Sequence, residues 1–213
     1  MSTAPGTPAA GADQAAAPEP SPWNIANALT VLRILMVPVF VWLLLRDPGA
    51  GGEHLELWWA FAVFALAAIT DRIDGDLARR HNLITSFGKI ADPIADKALI
   101  GSALICLSAI DLLPWWVTIV ILARELLITV VRFVVIRYGV MAASRGGKLK
   151  TVLQTVGIGL LLLPLAPVVG GWWPWAGWVV IGAATVLTVL TGLEYVKDAW
   201  VLRRDALAAQ RGA

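Results

Sequence analysis

Apolar residues fill the chain in six long blocks, at residues 25–45, 55–70, 90–110, 115–136, 152–169 and 175–196, with short polar stretches between them. Each block comes close to the roughly 17 to 25 residues that a helix needs to cross a bilayer. The pattern therefore predicts six transmembrane helices in an all-α integral membrane protein. The second block looks short only because charged residues follow it directly, and no proline stops the helix between Asp71 and Arg80. Gly75 is the one weak helix former there.

Orientation follows from the connections. Those after the first, third and fifth blocks hold one basic residue, Arg46, whereas the opposite connections and the C-terminal end hold Arg79, Arg80, Lys89, Arg137, Arg145, Lys148, Lys150, Arg203, Arg204 and Arg211. Positive charge stays on the cytoplasmic side, so both termini are expected there. Tryptophan gives the same answer. Trp42, Trp58, Trp59, Trp115, Trp116, Trp172, Trp173, Trp175 and Trp178 all fall at or near the outer ends, as an interfacial belt does.

Composition agrees with a bilayer as the solvent: 58% of residues are hydrophobic, 15% are charged and the mean hydropathy is +0.74. The net charge of +2 includes no basic block of the kind that binds nucleic acid. A single cysteine, Cys106, rules out an internal disulfide framework and a cysteine zinc site, and its apolar setting makes it a small hydrophobe. Residues 1–21, rich in Ala, Pro and Gly and without Lys or Arg, read as a disordered tail. Residues 22–204 form the membrane domain in this reading, and 205–213 form a cytoplasmic C-terminal tail.

Against this background the stretch DRIDGDLARRHNLITSFGKIADPIADK, from Asp71 to Lys97, stands out, because charge beside a membrane core is costly and tends to be functional. On a helix Asp71, Asp74, Gly75 and Ala78 share one face, and Gly88, Asp92 and Asp96 form an i, i+4, i+8 row on the next. Asp76 points about 140° away from Asp71 and falls outside the group. Pro93 leaves two options for the third helix: a start at Asp92 as N-cap, or a bend. Carboxylates packed together raise each other's pKa unless cations intervene. All-oxygen ligation favours Mg2+ or Mn2+, with Ca2+ also compatible, over zinc, and Mg2+ commonly shares its shell with substrate phosphates. The plain alternative is solvated helix-end charge paired with Arg72, Arg79 and Lys89. Two regular acidic rows facing each other speak against it. A cation transporter would place its carboxylates along a path through the membrane, whereas these gather at one end.

The spacing Asp71-x2-Asp74-Gly75-x2-Ala78-Arg79-x8-Gly88-x3-Asp92-x3-Asp96 resembles, at every fixed position, the signature of the CDP-alcohol phosphatidyltransferase family. The resemblance implies six transmembrane helices, an active site on the cytoplasmic side of a bacterial plasma membrane, and a homodimer. It implies that Asp71, Asp74, Asp92 and Asp96 hold two Mg2+ or Mn2+ ions per active site, with Asp96 also the general base. Gly75, Ala78, Arg79 and Gly88 would contact the cytidine diphosphate part of CDP-diacylglycerol. NIANALTVLR resembles the family's Asn-x-x-Thr-x-x-Arg pattern and sets Asn27, Thr30 and Arg33 near the nucleotide.

ADPIADK, ARE and GKLKT followed by Gln154 resemble the branch of the family whose acceptor is sn-glycerol 3-phosphate, rather than those accepting phosphatidylglycerol or an inositol phosphate. Such an acceptor brings a phosphate. Arg124 and Arg132, eight residues apart on one helical face, with Lys148 and Lys150 and the aromatic Tyr195, are the candidates to receive it.

Overall fold

The structure, a computed structural model, describes residues 24–46, 55–80, 85–136 and 145–211. Among them the chain is all helix: α1 (Ile25–Arg46), α2 (Leu55–Arg80), α3 (Ser86–Ala109), α4 (Trp115–Val135), α5 (Arg145–Leu162), α6 (Ala166–Val169) and α7 (Trp173–Arg211). The predicted N-terminal tail lies outside the described residues, as do the side chains of residues 74–80.

Seven helical segments stand where six are expected, because the fifth apolar block breaks. Helix α5 stops at Leu162; Pro164, which has no N–H to donate, follows within two residues, and Pro167 then opens the single turn of α6. At its other end α5 begins at Arg145, so Lys148 and Lys150 lie within its first two turns. Helix α3 begins before Asp92. Thr85 is its N-cap, accepting a hydrogen bond from the Gly88 amide at 3.0 Å, which puts Pro93 inside the helix and removes Asp92 from the capping role. Helix α7 continues through residues 205–211, where a tail is expected.

Two of the helices are long and apolar enough to cross a membrane by length and composition alone, over Asn27–Arg46 (20 residues, mean hydropathy 2.4) and Trp173–Ala206 (34 residues, 1.9). The other long helices carry charge within or beside their apolar runs, as α4 does at Arg124, Glu125 and Arg132.

Helix α1 packs on α2 and α3, while α7 packs on α4 and α5, and α2, α3 and α5 join the two groups. The shared core includes Phe40 and Leu44 of α1, Phe64 of α2, Leu104 and Leu107 of α3, Ile121 of α4, Ile158 of α5 and Ile181 of α7. Helices α5 and α7 meet over small residues: a methyl on Gly157 would stand 3.0 Å from the Ile181 backbone nitrogen. Such close approach is how helices associate where no water drives them together. Thr185 and Thr191 donate to the carbonyls of Ile181 and Leu187 four residues back, so their hydroxyls need no water. Large apolar side chains cover much of the outside, including Leu35, Leu126, Phe133, Val179 and Leu193. Trp42, Trp58, Trp59, Trp115, Trp116, Trp172 and Trp175 are all exposed at one end of the bundle.

Candidate active site

The opposite end gathers the charged and polar side chains. Helices α1, α3 and α5 begin there and α2 and α4 finish there, so residues distant in sequence meet. Asn27, Thr30 and Arg33, spaced three apart, form one buried face of α1. Arg33 is fully buried, and its Nη1 lies 2.6 Å from a carboxylate oxygen of Asp71. The Thr30 hydroxyl donates to Asp92 at 2.6 Å, and the Thr85 hydroxyl donates to the Asn27 side-chain oxygen at 3.0 Å. The predicted nucleotide-side residues of α1 are thus in direct contact with the acidic rows.

Gly88 sits where these groups converge. A Cβ there would stand 3.0 Å from the Asn27 side-chain oxygen, 3.3 Å from the Thr85 hydroxyl and 3.7 Å from a carboxylate oxygen of Asp92. Only glycine leaves that space open. The electrostatics are those of a crowded acid: burial pushes the Asp71 carboxyl up from its ordinary value, the Arg33 guanidinium pulls it down, and the Asp92 carboxylate pushes it up again. Asp96 lies in the field of Asp71, Arg33, Glu125 and Lys150. Its own carboxylate makes no hydrogen bond or ion pair among the described residues.

A cavity of about 960 Å³ opens beside this cluster, lined by the charged Arg33, Asp71, Asp96 and Lys148 and by the aliphatic Ile69, Leu99, Val152 and Val156. A second, of about 300 Å³, is lined by Asp96, Lys97, Glu125, Lys150, Thr151 and Gln154. Asp96, Ile100 and Thr151 belong to both.

The expected phosphate ligands divide. Lys148 faces the larger cavity and Lys150 the smaller. Arg124 and Arg132 do share a face, and it turns to α7. Arg124 donates through Nε to the Thr188 carbonyl at 3.1 Å, through Nη2 to the Thr191 hydroxyl at 3.0 Å and through Nη1 to Glu125 at 3.2 Å. Arg132 is exposed, with its Nε 3.5 Å from the Tyr195 hydroxyl. Glu125, the adjacent acid in ARE, is the local partner that the sequence also offers for Arg124, and with the buried Gln154 it lines the smaller cavity, although neither carries a site role in the sequence reading. Their signal was a polar side chain inside an apolar run. Lys150 donates to Glu125, and Gln154 donates to the Thr188 hydroxyl at 3.2 Å.

The sequence profile of the CDP-alcohol phosphatidyltransferase family matches residues 23–190, which include α1 to α5 and the site. The chain belongs to that family.

This phosphatidyltransferase is 55% identical over 176 residues to a probable phosphatidylglycerophosphate synthase of Mycobacterium tuberculosis, a match covering 83% of this chain and 81% of the relative. It is 39% identical over 186 residues to the CDP-diacylglycerol–glycerol-3-phosphate 3-phosphatidyltransferase of Bacillus subtilis, covering 84% and 96%. A cardiolipin synthase (CMP-forming) of Streptomyces coelicolor is 38% identical over 196 residues, covering 87% of each chain.

The family generally uses divalent metal ions. Among the described residues no three acid, histidine or cysteine side chains stand close enough to hold an ion by themselves, and the side chain of Asp74 is not among them. The donor set nevertheless fits a hard cation. It offers carboxylate oxygens without sulfur or imidazole, and the mutual repulsion of Asp71 with Asp92 and with Asp96 is countered by the Arg33 guanidinium and, at Asp96, by the Lys150 ammonium.

Proposed function

We propose that the protein transfers the phosphatidyl group of CDP-diacylglycerol to sn-glycerol 3-phosphate, giving phosphatidylglycerophosphate and CMP. The observation that carries this reading is the place of Asp96 on the wall common to the two cavities. The larger, lined by both charged and aliphatic side chains, suits a lipid with a nucleotide head. The smaller, with Lys97, Glu125, Lys150 and Gln154 beside Asp96 in its wall, suits a compact phosphorylated alcohol.

Asp96 takes the proton of the acceptor hydroxyl as that oxygen attacks the phosphorus bearing the diacylglycerol group. The new P–O bond forms, the P–O bond to CMP breaks, and CMP leaves with the electron pair. Asp71, Asp74, Asp92 and Asp96 would hold two Mg2+ or Mn2+ ions, whose chemistry when bound is to neutralise the pyrophosphate and ease departure of the CMP oxygen. Arg33 and Thr30 orient Asp71 and Asp92. Gly75, Ala78, Arg79 and Gly88, with Asn27, are assigned to the cytidine diphosphate group. Lys148, Lys150 and Arg132 with Tyr195 are assigned to the acceptor phosphate, while Arg124 secures α4 to α7.

The protein is read as crossing the membrane six times, with this site and both termini at the cytoplasmic face. Helices α2, α3 and α4, of 26, 24 and 21 residues, match a hydrocarbon core of about 30 Å. The exposed tryptophans at the other end support an interface there.

Supplying purified protein with CDP-diacylglycerol and, separately, glycerol 3-phosphate, phosphatidylglycerol or an inositol phosphate, and weighing the lipid products by mass spectrometry, tests the acceptor. Phosphatidylglycerophosphate is expected. Cardiolipin as the sole product would instead support the activity named for the Streptomyces relative. Arg132→Ala is expected to raise the KM for glycerol 3-phosphate about tenfold, the loss of one exposed charge-assisted contact, with kcat nearly unchanged.

A further inference from the structure

Glu125 is an acid placed where the proposed acceptor's phosphate would find it repulsive. Its carboxylate is shared by Lys150 of α5 and Arg124 of its own helix. Arg124 continues the chain of contacts to the Thr188 carbonyl, and the Thr188 hydroxyl returns it to α5 through Gln154. A closed polar circuit thus joins α4, α7 and α5. Among the described residues α4 and α5 do not pack on each other, and each packs on α7. The Lys150–Glu125 pair bridges the gap between them, on the wall of the smaller cavity.

A second acid acts on Lys150. Asp96 lines the same cavity and stabilises the ammonium electrostatically, yet the ion pair forms with Glu125. The consequence is visible on Asp96, which makes no hydrogen bond or ion pair among the described residues. An ammonium seated on Asp96 would occupy the oxygens needed for a metal ion and for the acceptor's proton.

We propose that Glu125 is a positioning residue that draws Lys150 away from Asp96 and so keeps the Asp96 carboxylate open. This rests on the reading of Asp96 given above. Without the Glu125 charge the lysine turns to its remaining acid and competes with the metal.

Mn2+ binding to the purified protein, followed by the loss of the free-ion signal in electron paramagnetic resonance, requires no turnover and separates this inference from the choice of acceptor. Glu125→Gln is expected to weaken Mn2+ binding about tenfold, and adding Lys150→Met to that variant is expected to restore it, the non-additivity that marks two residues acting through one contact. Lys150→Met alone should bind Mn2+ at least as tightly as the wild type, which keeps the test decisive if Glu125→Gln does not fold. Unchanged binding in Glu125→Gln, a double variant no better than Glu125→Gln, or weaker binding in Lys150→Met would each overturn the proposal. If the wild type binds no Mn2+, both the proposal and the metal reading fall. If it binds Mn2+ but releases no CMP with glycerol 3-phosphate, the choice of acceptor alone falls.

Discussion

Asp96→Asn is expected to lower turnover about a thousandfold while leaving CDP-diacylglycerol binding measurable, within the range that a positioned general base contributes. Asparagine keeps the shape and one oxygen of the side chain but cannot take a proton at neutral pH. The position is sensitive because Asp96 faces both cavities and its carboxylate spends no bond on a neighbouring side chain among the described residues. Donor contacts assigned to Gly75, Ala78, Arg79 and Gly88 are untouched by the change. CMP release and donor affinity, measured on the same preparation, separate chemistry from binding. Turnover at the wild-type rate in this variant would remove Asp96 from the mechanism.

The second large effect is expected at Gly88. In Gly88→Val the first added carbon already stands 3.0 Å from the Asn27 oxygen and 3.3 Å from the Thr85 hydroxyl, and the two further methyls must be fitted among the same neighbours. Thr85 caps α3, Asn27 receives the Thr85 hydroxyl, and Asp92 lies 3.7 Å away, so crowding here disturbs the helix start and an acidic ligand together. Overpacking of this kind costs roughly 1–3 kcal/mol, and applied to the geometry of the site it is expected to lower kcat/KM about a hundredfold. Gly101→Ala is the control on the same helix, since its Cβ would meet only the Leu122 side chain at 3.7 Å. Equal activity in the two variants would refute the close-packed role of Gly88.

The parts of the site that were legible in the sequence are local ones. Asp71 and Asp74, like Asp92 and Asp96, lie three or four residues apart, and helical periodicity alone puts such pairs on one face. The continuation of α2 through its charged segment was readable for the same reason, since nothing between Asp71 and Arg80 breaks a helix. Contacts between helices were not. The Thr30–Asp92 hydrogen bond joins residues 62 apart and the Lys150–Glu125 pair joins residues 25 apart, and no periodicity relates them. The eight-residue spacing of Arg124 and Arg132 gave their common face without revealing that α7 lies against it. Hydropathy also carried the fifth helix too far, because Leu163, Leu165 and Val168 are as apolar as the helix before them. Backbone chemistry at Pro164 ends α5 whatever the hydropathy.

The central claim is transfer of a phosphatidyl group from CDP-diacylglycerol to an alcohol, and CMP release tests it most directly. Purified protein in mixed micelles with CDP-diacylglycerol is assayed with and without glycerol 3-phosphate, and with and without Mn2+ or Mg2+. CMP and phosphatidylglycerophosphate are expected in equal amounts when acceptor and metal are both present, and neither product when either is withheld. CMP formed at the full rate without acceptor, or no CMP with any alcohol offered, would contradict it.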